Sequence, residues 1–395
     1  MLKSEMSVSP SFQESLIANL AFWQARLKGL PETQFHTLDP ESQNLSRAVA
    51  YGLGIAPAQE PSVNLALTLM EYVESRGIWR AWIPLFERAL SLAAVASPLQ
   101  GRLACRLGFL YRLDERLLPA LDLHRQALHL AEARDDRFEE ARAHLGLADE
   151  YYLLHQYVQA ETHTQAGLDH LKAIEGNDPW KRAAHNLLGM IAHTRGEYAA
   201  AATHYRAALE AWPPGEYPRK QAQTLTNLAN TLRDGGRPAE ALAALELAIA
   251  LLQQTGSRLP LAIAQLTLGT VFFSQGDFAR ALAAFLGVDN HFLTRFGYRF
   301  PQALLANNIG NVYLEQGAYP AAEEQLAYAV QLWREVGDEV NLANTLGDLG
   351  EACYQQGFPE RAAPFWEEAL ALLARHPENA WARKRYHAIL AQTKR

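Results

Sequence analysis

Thirteen histidines and two cysteines are the side chains in this 395-residue sequence best suited to metal or nucleophile chemistry. Two histidines four apart on a helix would put both imidazoles on one metal. No pair has that spacing. His124 and His129 come nearest, but five residues turn a helix by about 500°, so they point to different faces. His163 and His170 share a face, yet stand about 10 Å apart along the axis, and no acid or cysteine is in register to complete a site. No metal is therefore expected. Cys105 has no sequence neighbour that would act as its base or orienting acid, so it reads as a buried free thiol. No Gly-x-Ser-x-Gly elbow, His-Glu-x-x-His pair or paired-Cys knuckle occurs. No lysine follows a glycine anywhere, which excludes a phosphate loop ending in Gly-Lys-Ser/Thr. No catalytic residue and no cofactor are expected.

Charge and composition narrow the field further. Lys+Arg number 36 against 43 Asp+Glu, a net charge of −7, so the surface as a whole is not built to grip a polyanion, and no nucleic acid is expected. The basic tail Arg383, Lys384, Arg385, Lys394 and Arg395 has few interleaved aromatics and reads as a solvated cap. Cys105 and Cys353 are too far apart in sequence to form a secreted disulfide framework. No signal-peptide core and no run of about 18 apolar residues occurs, so a cytoplasmic protein without membrane contact is expected. Ala and Leu dominate and β-branched runs are scarce, which favours helix over strand.

The elements that carry these residues repeat. Trp82, Ala120, Ala160, Ala201, Ala241, Ala281, Ala322 and Ala362 follow one another at intervals of 38 to 41 residues. Twelve residues before each stands Met70, Gly108, Ala148, Gly189, Ala229, Gly269, Gly310 or Gly350. Seven residues after each stands Ala89, Ala127, Gly167, Ala208, Ala248, Val288, Ala329 or Ala369. Between the columns lies a turn at Gly77, Gly196, Gly236, Gly276, Gly317 or Gly357, with Glu115 and His155 as exceptions. Small residues in register predict two helices per unit whose backbones approach closely. Tyr111, Tyr151, Phe272 and Tyr313 on the first helix, and Phe86, Tyr205, Phe285 and Trp366 on the second, fill the remaining space. His124 occupies the second-helix aromatic column and is expected in the core. A single pair cannot bury its apolar face, so the units stack.

The order of small residue, tyrosine, glycine and two alanines, as in Gly310-Asn-Val-Tyr313, Gly317, Ala322 and Ala329, resembles the tetratricopeptide repeat. Pro213 stands where that family places its proline. The period exceeds the family's usual 34 by about six residues, in the length range of HEAT repeats, which lack these columns. The extra residues are assigned to a longer second helix and to links around Gly176, Gly256, Gly297 and Gly337. The resemblance implies an all-α, right-handed superhelical solenoid of about eight helix pairs over residues 63–374. An N-terminal helical segment (1–62) precedes it and a capping helix (375–395), with apolar Trp381, Tyr386, Ile389 and Leu390, closes it. The order NLAFWQARL, ESQNLSRAVAYGL, RGIWRAWIPLFERALSLA is moreover similar to the start of the C-terminal repeat region of bacterial STAND (NB-ARC-like) ATPases. Links such as Phe296-Gly-Tyr-Arg and Val336-Gly-Asp-Glu share that similarity, which implies the sensor half of such a system without its nucleotide switch.

In this family the first helices line a concave face that receives peptides or proteins. Carried over by column, that face holds Arg102, Arg106, Arg112 and Arg142 early, then Asn186, Asn227, Asn230, Asn307, Asn308, Asn311 and Asn344, with Phe109, Tyr152, Phe273 and Tyr354 as aromatic contacts. Arginine offers a fixed fork of donors to carboxylates, and asparagine both donates to and accepts from a peptide backbone. Two readings stay open: these residues hold a ligand, or the asparagines bond neighbouring helices and the arginines face acidic runs such as Asp135-Asp136 and Glu139-Glu140. The implied function is a non-enzymatic sensor or adaptor that binds a peptide or protein in a bacterial signalling or defence-like pathway. The alternative is a scaffold or assembly chaperone for a folded partner.

Overall fold

A computed structural model describes residues 9–94, 97–172, 179–210, 217–376 and 380–393, excluding the side chains of residues 380, 381 and 383. Pro213, Gly176, Lys394, Arg395 and the side chains of Trp381 and Arg383 lie outside the described residues. The described residues form helices and no strand. In chain order these are α1 (Pro10–Leu27), a 3-10 stretch (Glu32–Glu41), α2 (Ser42–Gly52), a 3-10 turn (Ala56–Ala58), α3 (Gln59–Thr68), α4 (Met70–Arg76) and α5 (Trp79–Leu92). The helix pairs continue as α6 (Pro98–Leu113) with α7 (Leu117–Glu132), α8 (Arg137–Leu153) with α9 (Tyr157–Lys172), and α10 (Pro179–Thr194) with α11 (Tyr198–Glu210). Then come α12 (Pro218–Asp234) with α13 (Pro238–Thr255), α14 (Arg258–Ser274) with α15 (Phe278–Leu286) and α16 (Asn290–Phe296), α17 (Arg299–Glu315) with α18 (Tyr319–Val336), α19 (Glu339–Gln355) with α20 (Pro359–Leu373), and α21 (Ala380–Gln392).

The turn glycines are explained by backbone conformation. Gly77, Gly196, Gly236, Gly276, Gly317 and Gly357 all have φ between +69° and +85°, and Glu115 and His155 adopt the same left-handed conformation at +62° and +60°. The next amide then returns to a carbonyl five residues back: Arg116 N to Tyr111 O at 2.8 Å, Ala318 N to Tyr313 O at 2.9 Å. That closes the first helix and reverses the chain. Links between units use the same left-handed conformation at Gly256, Gly297 and Gly337 and, without glycine, at Asp135 and Tyr217.

The small-residue columns sit under large side chains of the paired helix. A Cβ built on Gly269 would stand 2.3 Å from Phe285, one on Gly310 2.7 Å from Leu326, and one on Gly350 2.4 Å from Trp366. Ala120, Ala160, Ala201, Ala241, Ala281, Ala322 and Ala362 are 0% exposed. One second helix departs from the lengthening expected: after α15 the chain breaks at Gly287 and restarts as α16, where Asp289 Oδ1 accepts from Phe292 N at 2.9 Å. An aspartate side chain that caps a new helix competes with continuing the old one.

The chain divides into two compact units. The first holds residues up to Ile191 together with Ala207–Lys220 and Gln254–Ser257. Here α1 packs on α2 and α3, and α2 lies so close to α3 that a Cβ on Gly52 would meet Ser62 Oγ at 1.8 Å. α3 runs across residue 62 without interruption. A buried ionic cluster fastens this region: Arg219, 1% exposed, donates from Nε to Glu32 at 2.7 Å and from Nη1 to Glu74 at 2.8 Å. Burial alone would raise the Glu74 pKa, but the cations of Arg219 and Lys220 hold it down to about 2. In the second unit, α17 to α21 share one core built on Leu326, Trp333, Leu346 and Trp366. α21 seals it with Ile389, whose Cδ1 lies 2.7 Å from a Cβ built on Gly347. Arg385, expected in a solvated cap, instead ion-pairs with Asp348, because α21 lies along α19 and brings the two together.

Adding a methyl group to a filled contact overpacks the core. Gly350→Ala should therefore push against the Trp366 indole, whose Nε1 donates to Gly347 O at 3.1 Å, and cost roughly 1–3 kcal/mol. Ala200→Ser, on an exposed face of α11, should cost little. Equal melting temperatures for the two variants would refute this packing register.

Candidate ligand-binding site

Within the first unit, three successive first helices meet in a recess. α6 supplies Cys105, Arg106, Phe109 and Arg112, α8 supplies Arg142, Leu145, Gly146 and Asp149, and α10 supplies Trp180, Ala183 and Leu187. Spacings of three and four put each set on one helix face. His124 of α7 closes the base. The cavity is about 60 Å³, which suits the head of one side chain rather than a whole ligand.

Its chemistry is cationic although the chain is acidic. Arg106 and Arg142 approach the Trp180 ring to 5.7 and 5.1 Å. Arg142 is 5% exposed; its Nη1 grips both Glu139 oxygens at 2.7 and 2.9 Å, while its buried Nε has no partner among the described residues. Arg106 has no carboxylate within ion-pair distance among the described residues, but Glu71 and Glu74 act on it from further away. Burial first, and then the charge of Arg142, lower its pKa to about 10. Arg112 is differently placed: it lies over Phe109 at 4.9 Å and faces Asp149 at 3.5 Å and Glu150 at 3.9 Å.

Beneath the recess lies a constellation not visible in the local sequence. His124, 2% exposed, bonds through Nδ1 to Glu150 Oε2 at 2.9 Å and donates from Nε2 to the Cys105 carbonyl at 3.1 Å. Cys105 is the buried free thiol expected, and the structure adds a histidine and a carboxylate next to it that its sequence neighbours do not show. Burial would lower the His124 pKa, but Glu150 and the contacts around Cys105 raise it to about 10. The ring is an imidazolium with both N–H groups committed, so it has no lone pair with which to deprotonate the thiol. Burial would raise the Cys105 pKa, yet the surrounding cations of Arg142, His124 and Arg106 lower it. The columns hold the missed signal. Glu150 occupies a register that is Tyr72, Leu110, Ile191, Thr231, Val271, Val312 and Ala352 elsewhere, and His124 sits in the one that holds Phe86, Tyr205, Phe285 and Trp366. A carboxylate and an imidazole in two facing columns that otherwise carry no ionisable carboxylate or imidazole are a buried pair.

A second histidine group joins residues the spacing had kept apart. His144 lies between His163, at 2.9 Å Nδ1 to Nδ1, and His170, on which it stacks at 5.6 Å, while His170 faces Glu140 at 3.1 Å. Stacked rings present faces rather than lone pairs to each other. No three His, Cys, Asp or Glu side chains converge on a metal position among the described residues.

The remaining groove candidates fall into two kinds. In the first unit, Arg102 is exposed and outside the recess, Tyr152 stacks against Tyr157 at 5.7 Å, and Asn186 Nδ2 lies 3.6 Å from Met190 Sδ. In the second, several asparagines bond neighbouring helices. Asn307 accepts from Thr345 at 2.8 Å, Asn230 donates to Thr267 at 3.5 Å, and Asn311 bonds Asp348 while its own Oδ1 stays buried without a partner. Asn227 and Asn344 are half-buried, their carbonyls accepting from Thr231 at 3.1 Å and Arg385 at 3.4 Å. Tyr354 packs on Trp366 at 5.7 Å. Asn308 is half-buried and makes no hydrogen bond among the described residues.

Family models described as tetratricopeptide repeat match residues 157–216, 220–286 and 301–375, together just over half of the chain. No curated protein matches it in sequence. Among solved structures it resembles a Rap protein complexed with competence and sporulation factor, at 16% identity and TM-score 0.62, over 93% of this chain and 99% of that one. A STAND protein with a tetratricopeptide repeat sensor from Pyrococcus horikoshii matches at 14% identity and TM-score 0.62, over 98% of this chain and 56% of its own length. NprR in complex with its cognate peptide NprX matches at 13% identity and TM-score 0.51, over 70% of this chain and 80% of that one.

The His124–Glu150 pair makes stability depend on pH. Below the ordinary histidine pKa of 6.5 both folded and unfolded chains carry the proton; from there to about 10 only the folded chain does. Stability should therefore drain as pH rises through that window, by up to about 1.4 kcal/mol per pH unit. Urea melts between pH 7 and 9.5 should show a shallower slope in the His124→Gln/Glu150→Gln double variant. Equal slopes would remove the charged pair.

Proposed function

Since the chain belongs to the tetratricopeptide-repeat family, we propose that it is a non-enzymatic sensor or adaptor that holds a peptide or protein segment against its first-helix face. The observation that carries this reading is the recess itself: three consecutive first helices line it, and the Nε atoms of Arg112 and Arg142 are buried there without a hydrogen-bond partner among the described residues. Arg102, Arg106 and Arg142 would meet acidic groups, Tyr152 and Tyr354 apolar side chains, and Asn186, Asn227, Asn308 and Asn344 the ligand backbone, while Asn230, Asn307 and Asn311 make hydrogen bonds to neighbouring helices. The Rap and NprR structures contain competence and sporulation factor and the cognate peptide NprX, which supports a peptide as the ligand class. A place in a bacterial signalling or defence-like pathway, within the cytoplasm, is part of the same reading. No described helix is long and apolar enough to cross a membrane.

One observation favours the alternative, a scaffold for a folded partner. Leu118 and Val158 are 64% and 70% exposed in the same register of α7 and α9, the second-helix face. Native mass spectrometry of the untagged protein from its own host separates the two, since a retained peptide supports the groove and a co-purifying folded protein the scaffold.

Neighbouring asparagines give a sharper test. Asn308→Ala should leave the melting temperature unchanged and weaken binding of the retained peptide about two- to tenfold, the loss of one hydrogen bond. Asn307→Ala, which strands Thr345 in the core, should lower the melting temperature instead. Unchanged affinity in Asn308→Ala would take the ligand backbone off that column.

A further inference from the structure

We infer that Cys105, in the wall of the recess between α6, α8 and α10, is a modification site at which hydrogen peroxide oxidises the thiol to a sulfenic acid. The thiol stands at a cavity. Cys105 lines the recess and packs on Ala104, Ala127 and Ala143 behind it. A cavity of about 60 Å³ admits hydrogen peroxide, which is uncharged and little larger than water, and excludes bulky oxidants. Arg142, 5% exposed, shares the lining, and its buried Nε has no acceptor among the described residues. An oxygen added to the sulfur enters the same small space and would offer that donor an acceptor.

Oxidation needs thiolate character, and the charges around the sulfur favour it. On α8, Glu139 holds Arg142, Asp149 faces Arg112 and Glu150 holds His124. On α4, Glu74 holds Arg219 and Glu71 faces Lys220, while both act on Arg106 from further away. Position therefore matters more than total charge. Burial alone would raise the Cys105 pKa, but Arg142, His124 and Arg106 hold it below the ordinary thiol value. The thiolate sulfur attacks one peroxide oxygen, so an S–O bond forms as the O–O bond breaks. Hydroxide leaves and takes a proton from solvent; sulfur is oxidised and the departing oxygen is reduced to water. His124, bonded to Glu150 and the Cys105 carbonyl, takes up no proton. Cys353 is the contrast within the same chain. It is 0% exposed in the core of the second unit, where burial and then Glu323 push its thiol up. If a ligand enters the recess, the added oxygen lowers its affinity; that consequence rests on the groove reading, whereas the oxidation does not.

To test this, native protein is treated with hydrogen peroxide at pH 7, quenched with catalase and unfolded in urea containing dimedone. The trap then meets the sulfenic acid without having to enter the recess. Mass mapping should place dimedone on Cys105 and not on Cys353. An ordinary thiol is only a few per cent ionised at pH 7, so Cys105 should oxidise about three- to tenfold faster in folded protein than in urea. Cys353 should do the reverse. Arg142→Gln, checked for an intact fold by circular dichroism, should move the pH profile of Cys105 oxidation upward. Arg102→Gln, at an exposed position outside the recess, should leave that profile in place. Equal labelling of the two cysteines in native protein, or a Cys105 rate no greater folded than in urea, would overturn the proposal, and both comparisons need only the wild type. Peroxide that weakens binding of the retained peptide in the wild type, but not in Cys105→Ser, would support the link to the ligand. Cys105 oxidation with unchanged peptide affinity would keep the modification site and take the ligand out of the recess. Cys105 oxidation in a protein that retains no peptide from its host would sink the groove reading alone.

Discussion

Within each helix pair, the side chain four residues beyond the second-helix alanine lies on the backbone of the first helix where a small residue leaves room. Phe285 covers Gly269, Leu326 covers Gly310 and Trp366 covers Gly350, each so tightly that not even a methyl group fits between them. Backbones that approach this closely fix both the depth and the rotation of one helix against its partner. The left-handed turn residue then fixes how the chain reverses between them. Because the same contact recurs, first helices within a unit present the same face. Residues spaced about forty apart in sequence thereby come to line one surface within that unit.

One pair meets this constraint with different chemistry, and the candidate site follows from it. At Gly108 and Gly146 the covering side chain is the His124 ring, within 2.8 and 2.4 Å of where their Cβ atoms would lie. A buried imidazole needs partners for its nitrogens, and Glu150 and the Cys105 carbonyl provide them. A buried ion pair adds little net stability compared with apolar packing of the same volume, but it is directional. It also occupies Glu150, which Arg112 approaches only to 3.9 Å. The base of the recess is therefore an outcome of how the core was filled one layer below.

The two compact units use their polar groove residues differently. In the second, Asn230, Asn307 and Asn311 bond to Thr267, Thr345 and Asp348 on neighbouring first helices, so much of their hydrogen-bonding capacity serves the fold. In the first, the Arg142 Nε has no acceptor among the described residues, and Arg106 feels Glu71 and Glu74 only from beyond ion-pair distance. Uncommitted capacity is what a ligand can satisfy, so affinity and selectivity are expected to concentrate around α6, α8 and α10. Arg219 contributes there indirectly: held by Glu32 and Glu74, it ties the N-terminal helices to the start of α12 within that unit.

The sequence by itself determined the repeat. Small residues must recur where helices touch, and turn glycines where φ is positive, so the columns from Met70 to Gly350 and from Gly77 to Gly357 marked the helix pairs and their turns. It also placed His124 in the core, because that position is defined by register. What register cannot show is which side chains meet across separate helices. The meeting of His124 with Glu150, the shared contact of Arg106 and Arg142 with Trp180, and the reach of Arg219 to Glu32 depend on distances that only stacking sets. The same applies to the asparagines. Composition and position made Asn307 and Asn308 alike, and only the packed neighbour, Thr345 against one and no hydrogen-bond partner among the described residues against the other, separated a fold residue from a candidate ligand contact. Local propensity and periodicity are properties of one chain segment, whereas hydrogen-bond satisfaction and charge balance belong to the neighbourhood that tertiary structure creates.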